Sequence, residues 1–262
     1  MMLFFVFFSG ISQVSRARYM GEVYYESAMD MYQMSKYEDA VRLFKKFLEL
    51  APHDFNGHYL AARSLGFLGD IDSAIEYYKR ALAIKNDYDA HVYSGILFNK
   101  KGEYDKAIEH FKKALEIIPD DSDAFVCIGD VFRSQKDFDR AIEHYKMALG
   151  REPRHVGAHL NMGRTLREKG DPEDAVTWLK KALEIDPEDF DTHIEMGVAL
   201  KETGDTAGAI KHFRAALVSK PDDAYAHVRL GEVLEETGDT ANARKHFEKA
   251  KEIDPDCKVP AN

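Results

Sequence analysis

The sequence is poor in the residues that mark several common kinds of protein site. Its two cysteines, Cys127 and Cys257, lie far apart, which excludes a disulfide framework and agrees with a reducing compartment. There is no CxxC pair, no GxSxG motif and no glycine-rich loop followed by Lys-Ser or Lys-Thr. We therefore expect a protein that is not an enzyme and that uses no cofactor and no metal ion.

An excess of basic residues is also absent, because the formal net charge is −10. A nucleic-acid-binding surface needs Lys and Arg side chains to displace counterions, so we expect no nucleic-acid partner. Hydrophobic residues make up 45% of the chain and charged residues 31%. This balance is enough for a core and a solvated surface, and it argues against global disorder.

The apolar start of the chain is too short to cross a membrane as a helix. Its first eight residues, MMLFFVFF, are followed by Ser9 and Gly10, whereas a spanning helix needs about 20 apolar residues. No basic residue precedes the apolar run, as one would in a signal peptide. Three interpretations of residues 1–20 stay open: membrane contact through residues 1–15, an apolar cap on the rest of the chain, or an extension from a misassigned start. We expect a cytoplasmic protein, with membrane association as the open alternative.

What the sequence has in abundance is an internal repeat. An alanine recurs every 34 residues, with one interval of 33 between Ala74 and Ala107. An aromatic residue or leucine follows four positions later, and a proline follows twelve positions later in all copies but the second. A second column of small residues lies upstream of these alanines. The two columns are Ala40, Ala74, Ala107, Ala141, Ala175, Ala209 and Ala243, and Ala28, Ala62, Gly95, Gly129, Gly163, Gly197 and Gly231.

These columns predict pairs of closely packed helices. Small residues at facing positions let two helices approach to about 8–10 Å, and the large residues fill the holes between them. A Gly-Asp or Gly-Glu step such as Gly69-Asp70 separates the two helical patterns in five copies. Glycine suits the end of one helix and aspartate suits the N-cap of the next.

This 34-residue pattern resembles the tetratricopeptide repeat family over residues 21–257. The resemblance implies an all-α fold, a right-handed superhelical solenoid of seven antiparallel helix-turn-helix repeats, whose first helices line a concave groove. Residues 1–20 form an apolar N-terminal segment and residues 258–262 a tail. Arg244 and Lys251 replace apolar residues of the earlier copies, so we expect the last repeat to be its own polar cap. The predicted repeats are 21–54, 55–87, 88–121, 122–155, 156–189, 190–223 and 224–257.

The resemblance also implies candidate contact residues on the first helices. Repeats 1 to 3 offer an apolar, aromatic end that suits the side chains of a peptide, or that packs against residues 1–20 or a second copy. Repeats 4 to 6 offer a cationic cluster, which is either a solvated face or a site for a carboxylate-bearing or phosphorylated segment. The candidates are Tyr25, Met29, Tyr32, Tyr59, Phe67, Tyr93, Ile96, Arg133, Asn161, Arg164, Arg167 and Lys201.

Two more specific sites are disfavoured. A histidine column runs through the repeats, but neighbouring helices stand about 8–10 Å apart whereas zinc ligands lie about 2 Å from the ion, so we expect packing rather than metal binding. The carboxylate clamp of chaperone-binding relatives needs Lys and Asn at first-helix positions where this chain has residues such as Tyr25 and Met29. The histidine column is His58, His91, His159, His193 and His227.

The function expected from these observations is non-catalytic. We expect a scaffold or adaptor that binds a peptide or protein segment in its groove and helps to assemble a multiprotein complex. Two alternatives stay open: a membrane-tethered recruiter or assembly factor, and the regulatory arm of an enzyme complex such as a glycosyltransferase. Self-association through the first repeats is a further expectation.

Overall fold

The computed structural model describes residues 13–260, and every regular element within that range is an α-helix. The all-α prediction is therefore confirmed. The helices are α1 (Gln13–Gln33), α2 (Tyr37–Leu50), α3 (Phe55–Phe67), α4 (Ile71–Ile84), α5 (Tyr88–Lys100), α6 (Tyr104–Ile117), α7 (Ser122–Ser134), α8 (Phe138–Arg151), α9 (Val156–Lys169), α10 (Pro172–Ile185), α11 (Phe190–Glu202), α12 (Thr206–Ser219), α13 (Ala224–Glu236) and α14 (Thr240–Ile253).

The fourteen described helices form consecutive hairpins, each made of a first helix and a second helix joined by a tight turn. Gly69 and Gly204 occupy two of these turns with φ of +78° and +87°, a backbone conformation that glycine adopts without steric cost. Asp70, next to Gly69, accepts a hydrogen bond from the backbone N–H of Ser73 and so caps α4. The glycine turn and the aspartate N-cap that the Gly-Asp step predicts are thus both present.

The chain divides into two compact units, the first ending at Pro119 and the second beginning at Asp120. The first unit contains α1–α6 and the second contains α7–α14. Each unit has its own core, built from the alanine columns and from large residues such as Phe44 in the first and Phe213 in the second, both fully buried. This single division does not test the boundaries of the seven predicted repeats, which stay a prediction.

The small-residue columns are small because a bulky side chain stands against them. A Cβ added to Gly129 would lie 2.5 Å from the Tyr145 ring, and one added to Gly163 would lie 2.6 Å from Leu179. Distances under about 3 Å between carbon atoms are repulsive, so the backbone of a first helix lies directly on the large residue of its own second helix.

The histidine column closes the turns between successive hairpins. His58 Nε2 donates to the Pro52 carbonyl at 2.9 Å, and the histidines of the last three hairpins bond the corresponding proline carbonyl in the same way. The turn that lacks a proline uses a substitute, because His91 Nε2 bonds Asn86 Oδ1 at 2.8 Å. These five histidines are buried, in agreement with the expected packing role.

The C-terminal end of the second unit is polar on its outer side, with Arg244 and Lys251 both exposed. Val259, in the segment after α14, packs against the core cluster of this unit. The tail therefore contributes an apolar contact to the cap, which the sequence did not indicate.

Candidate functional site

Three tyrosines from the first helices of the first unit surround one arginine. The guanidinium carbon of Arg63 on α3 lies 5.7 Å from the ring centroid of Tyr32 on α1, 5.9 Å from Tyr59 on α3 and 5.0 Å from Tyr93 on α5. A cation within about 6 Å of an aromatic face is attracted by the ring quadrupole. We call Arg63 with these three tyrosines the tyrosine face.

The rings of the tyrosine face are also held by each other and by the core. Tyr93 stacks on the buried Tyr78 at 6.2 Å and meets Tyr59 edge-on at 6.3 Å. Burial, followed by the nearby Asp89 carboxylate, raises the pKa of the Tyr59 hydroxyl, so this group stays protonated and is a hydrogen-bond donor at neutral pH.

The other predicted contacts of the first unit divide into two groups. Tyr25 packs edge-on against Phe47 at 5.1 Å, and Tyr25 and Met29 both pack on the core of the first hairpin. Phe67 and Ile96, by contrast, line a cavity of about 190 Å³ beside Arg63. Phe67 remains 58% exposed, so this apolar edge is open to a partner.

Arg63 was missed at the sequence level, although a signal for it existed. It follows Ala62 in the small-residue column, and Met29 and Ile96 occupy the same position in the neighbouring repeats. Those two residues were candidates because they are apolar. The charge of Arg63 set it apart from them, and its three aromatic neighbours come from different repeats.

On the first helices of the second unit, the predicted cationic contact residues form ion pairs. The four predicted cations each pair with a glutamate of the following repeat, at 2.8–3.2 Å, and Arg164 and Arg167 share Glu195. We call this arrangement the charged ladder. The cationic cluster expected from the sequence is therefore neutralised by neighbouring carboxylates. The pairs are Arg133–Glu168, Arg164–Glu195, Arg167–Glu202 and Lys201–Glu236.

A partly buried carboxylate lies at the start of the charged ladder. Asp130 on α7 accepts hydrogen bonds from the Tyr145 hydroxyl at 2.8 Å and from Asn161 Nδ2 at 3.0 Å. Burial raises the pKa of the Asp130 carboxyl, and the Tyr145 hydrogen bond and the Arg133 charge oppose that rise. Asn161, predicted as a ligand contact, is thus engaged within the protein.

Replacing Tyr145 with phenylalanine is expected to lower the free energy of unfolding by about 1–3 kcal/mol, because Asp130 loses a donor in a partly buried place. Urea denaturation followed by circular dichroism measures the change. Tyr78→Phe is the matched control, since Tyr78 occupies the same column and its hydroxyl has no side-chain hydrogen bond within residues 13–260. Equal losses in both variants would show that the Asp130 contact contributes nothing.

The sequence matches a family model described as Tetratricopeptide repeat over residues 25–88, 59–122 and 194–256. A second model of the same description matches residues 132–199, so the matches extend over more than half of the chain. The chain belongs to the tetratricopeptide repeat family. Tetratricopeptide repeat proteins are generally non-catalytic modules for interaction with other proteins. A comparison with curated proteins gives no match.

Several solved structures have the same fold. One from Parabacteroides merdae is 16% identical with a TM-score of 0.72, covering 90% of this chain and 93% of that chain. MamA from Desulfovibrio magneticus is 20% identical with a TM-score of 0.58, covering 64% and 96%. YrrB, a tetratricopeptide repeat protein with an unusual peptide-binding site, is 22% identical with a TM-score of 0.50, covering 70% and 94%. At these identities the likeness concerns the fold.

Among the described residues of this tetratricopeptide repeat protein, no group of three or more His, Cys, Asp or Glu side chains is placed to hold a metal ion. The histidine column instead forms three two-histidine contacts, each joining a first helix to its second helix through the Nδ1 atoms at 2.8–3.0 Å. The Nε2 atom of each first-helix histidine is already bonded to an oxygen atom. The pairs are His91–His110, His193–His212 and His227–His246.

The predicted membrane contact concerns a part of the chain that the structure largely leaves undescribed. Residues 1–12 lie outside the described range, and α1 begins at Gln13. Between residues 13 and 260, no helix has both the length and the apolar character that crossing a membrane requires. Membrane association through residues 1–15 stays a prediction.

Proposed function

We propose that the tyrosine face of the first unit binds a segment of a partner protein, and that the chain acts as a non-catalytic scaffold. The observation that carries this proposal is the concentration of partly buried aromatic rings around Arg63, beside the exposed Phe67. The family supports a role in protein interaction in general, and YrrB is a relative in fold with a peptide-binding site.

The physical properties of the face favour binding. Tyr59 and Tyr93 contact each other and Tyr78, so they lose little conformational freedom when a partner covers them. Tyrosine and arginine are the residue types that most often contribute large shares of binding energy at protein interfaces. The charged ladder of the second unit is less suited, because a partner would have to compete with existing ion pairs for Arg164 and Arg167.

Affinity capture with the full chain as bait tests the proposal. Partners identified by mass spectrometry with the wild type are expected to be lost with the double variant Tyr59→Ala/Tyr93→Ala. Tyr225→Ala is the control, because Tyr225 is 49% exposed but lies in the second unit. Circular dichroism confirms that each variant is folded. A partner set unchanged by the double variant would contradict binding at the tyrosine face.

A role in assembling a multiprotein complex and a role as the regulatory arm of an enzyme both stay predictions. Self-association through the first repeats is a prediction of the same kind. Light scattering of the purified full chain over a concentration series would measure it directly.

A further inference from the structure

Arg63 differs from the four cations of the charged ladder in having no carboxylate partner among the described residues. Arg133, Arg164, Arg167 and Lys201 each pair with a glutamate of the following repeat. Within residues 13–260, no Asp or Glu lies within ion-pair distance of Arg63. Its neighbours are instead the three aromatic rings of the tyrosine face. Its positive charge is therefore available to an anion from outside the described chain.

The cavity beside Arg63 is also positively charged. Its volume is about 190 Å³, and its lining contains two cations, Arg63 and Lys100, but no acidic side chain. The remaining lining is aromatic or aliphatic, including Phe67, Tyr93 and Ile96. Pockets for drug-sized ligands have volumes of roughly 300–1,000 Å³, so this cavity fits a single side chain better than a separate small molecule.

We propose that this cavity and Arg63 bind an acidic residue next to an apolar residue in a segment of a partner protein. The side-chain carboxylate of the partner's Asp or Glu bonds the Arg63 guanidinium, with Lys100 adding positive charge. The neighbouring Leu, Ile or Phe side chain enters the cavity and contacts Phe67 and Ile96. This inference rests on the proposed function and names the chemistry of the partner at the same face.

The geometry around Arg63 suits a carboxylate. Tyr32 and Tyr93 lie within 5.7 Å and 5.0 Å of the guanidinium carbon and hold the side chain in place. A guanidinium held by aromatic faces still presents N–H groups at its edge, and their planar arrangement matches the two oxygens of a carboxylate. The rest of the protein opposes such a ligand, since its net charge is −10, so a carboxylate is attracted only where local cations are unpaired.

Selection from a phage-displayed library of random peptides against the full chain tests the inference. The wild type is expected to enrich sequences with Asp or Glu directly beside Leu, Ile or Phe. Arg63→Gln is expected to lose the preference for the acidic residue. Arg164→Gln is the matched control, because Arg164 occupies the same column three repeats further along and is already paired with Glu195. This variant should enrich the same sequences as the wild type.

The most enriched peptide is then synthesised with an amidated C-terminus and a fluorescent label, and its affinity is measured by anisotropy. Replacing its acidic residue with Asn or Gln should weaken binding by about tenfold or more, as expected for the loss of a charge-assisted hydrogen bond. Arg63→Gln should weaken the original peptide by a similar factor and should not affect the neutral peptide. A free C-terminal version of the peptide should bind no more tightly than the amidated one.

The outcomes separate this inference from the proposed function. Enriched peptides that lack an acidic residue, that bind equally to Arg63→Gln, or that need a free C-terminal carboxylate would overturn the inference. If such peptides still lose affinity with Tyr59→Ala/Tyr93→Ala, the proposed function stands. Peptides that bind unchanged to that double variant, or the absence of any enrichment with the wild type, would overturn both.

Discussion

The melting temperature of the protein will fall by about 5–10 °C between about pH 7 and about pH 5, because the fold lowers the pKa of His110, His212 and His246. In each pair the first-helix histidine donates Nε2–H to an oxygen atom, so its Nδ1 carries the lone pair. The Nδ1–H of the second-helix histidine donates to that lone pair. A second proton on the first-helix ring would place two N–H groups against each other.

The shifts in pKa support this expectation. Burial, the adjacent His91 and the Lys113 charge lower the pKa of His110 from 6.5 to about 4. Burial, His193 and nearby lysines lower the pKa of His212 to about 4 as well, against the opposing charge of Asp205. Burial and the adjacent His227 also lower the pKa of His246.

The sign of the pH effect follows from these directions. Well above the unfolded-chain pKa of about 6.5, both the folded and the unfolded chain hold these histidines neutral, and stability is at its highest with respect to them. As the pH falls below that value the unfolded chain takes up protons first, so stability is lost until the folded chain also binds them near pH 4. Each histidine changes the free energy of unfolding by at most about 1.4 kcal/mol per pH unit. Solvent around the half-buried rings of the second-helix histidines reduces this contribution to a fraction.

A variant that copies another repeat of the same chain provides the control. In the fifth repeat the partner of the column histidine is Trp178, which stacks on His159 at 5.5 Å. His212→Trp should therefore remove one histidine with a lowered pKa, keep the packing, and reduce the loss of stability between about pH 7 and pH 5. An unchanged pH profile in this variant would mean that the acid sensitivity arises elsewhere. Thermal melts followed by circular dichroism at matched ionic strength measure the melting temperature of both proteins at each pH.

Replacing Gly163 with alanine will lower the free energy of unfolding by about 1–3 kcal/mol through overpacking. The added Cβ would lie 2.6 Å from Leu179 and 3.2 Å from the backbone oxygen of Ala175. Leu179 is fully buried and the backbone oxygen belongs to α10, so neither atom can move aside without shifting the helix. Urea denaturation should show a lower midpoint with an unchanged slope.

Gly150→Ala is the matched control for this prediction. Gly150 is also helical, on α8, but a Cβ there would have no other atom within 4 Å. Alanine is favoured over glycine in a helix by up to about 1 kcal/mol, so this variant should be neutral or more stable. Opposite effects of one methyl group at two helical glycines would locate the close contact at Gly163. A Gly163→Ala variant as stable as Gly150→Ala would show that the two helices can separate without cost.

Much of the fold could be predicted from the sequence because its periodicity is local. The small columns and the Gly-Asp turns report on contacts within a hairpin, such as Gly163 on Leu179, and the proline column reports on the turn to the next hairpin. Such contacts join residues separated by a constant distance along the chain and recur in every copy. A single sequence therefore shows the same packing pattern several times, once in each repeat.

The candidate site could be predicted only in part. Tyr32, Tyr59, Tyr93 and Ile96 lie on first helices as expected, and their role as contact residues stays a prediction, but the sequence does not show that Arg63 is their common neighbour. The sequence of each helix by itself predicts a cationic cluster. The carboxylates that pair with these cations lie one repeat further along the chain. Arg164 meets Glu195 across 31 positions, and Arg133 meets Glu168 across 35.

The sequence by itself determined that the chain is a tetratricopeptide repeat protein, which helices form and which residues pack between the two helices of a hairpin. These features depend on spacing and side-chain size, which are both written in the repeat. Only the tertiary structure decided which charges are neutralised, which histidines share a hydrogen bond and that Arg63 has no carboxylate partner among residues 13–260. Those outcomes depend on how far each hairpin is rotated against the next and on the rotamers of long side chains, neither of which a repeat pattern specifies.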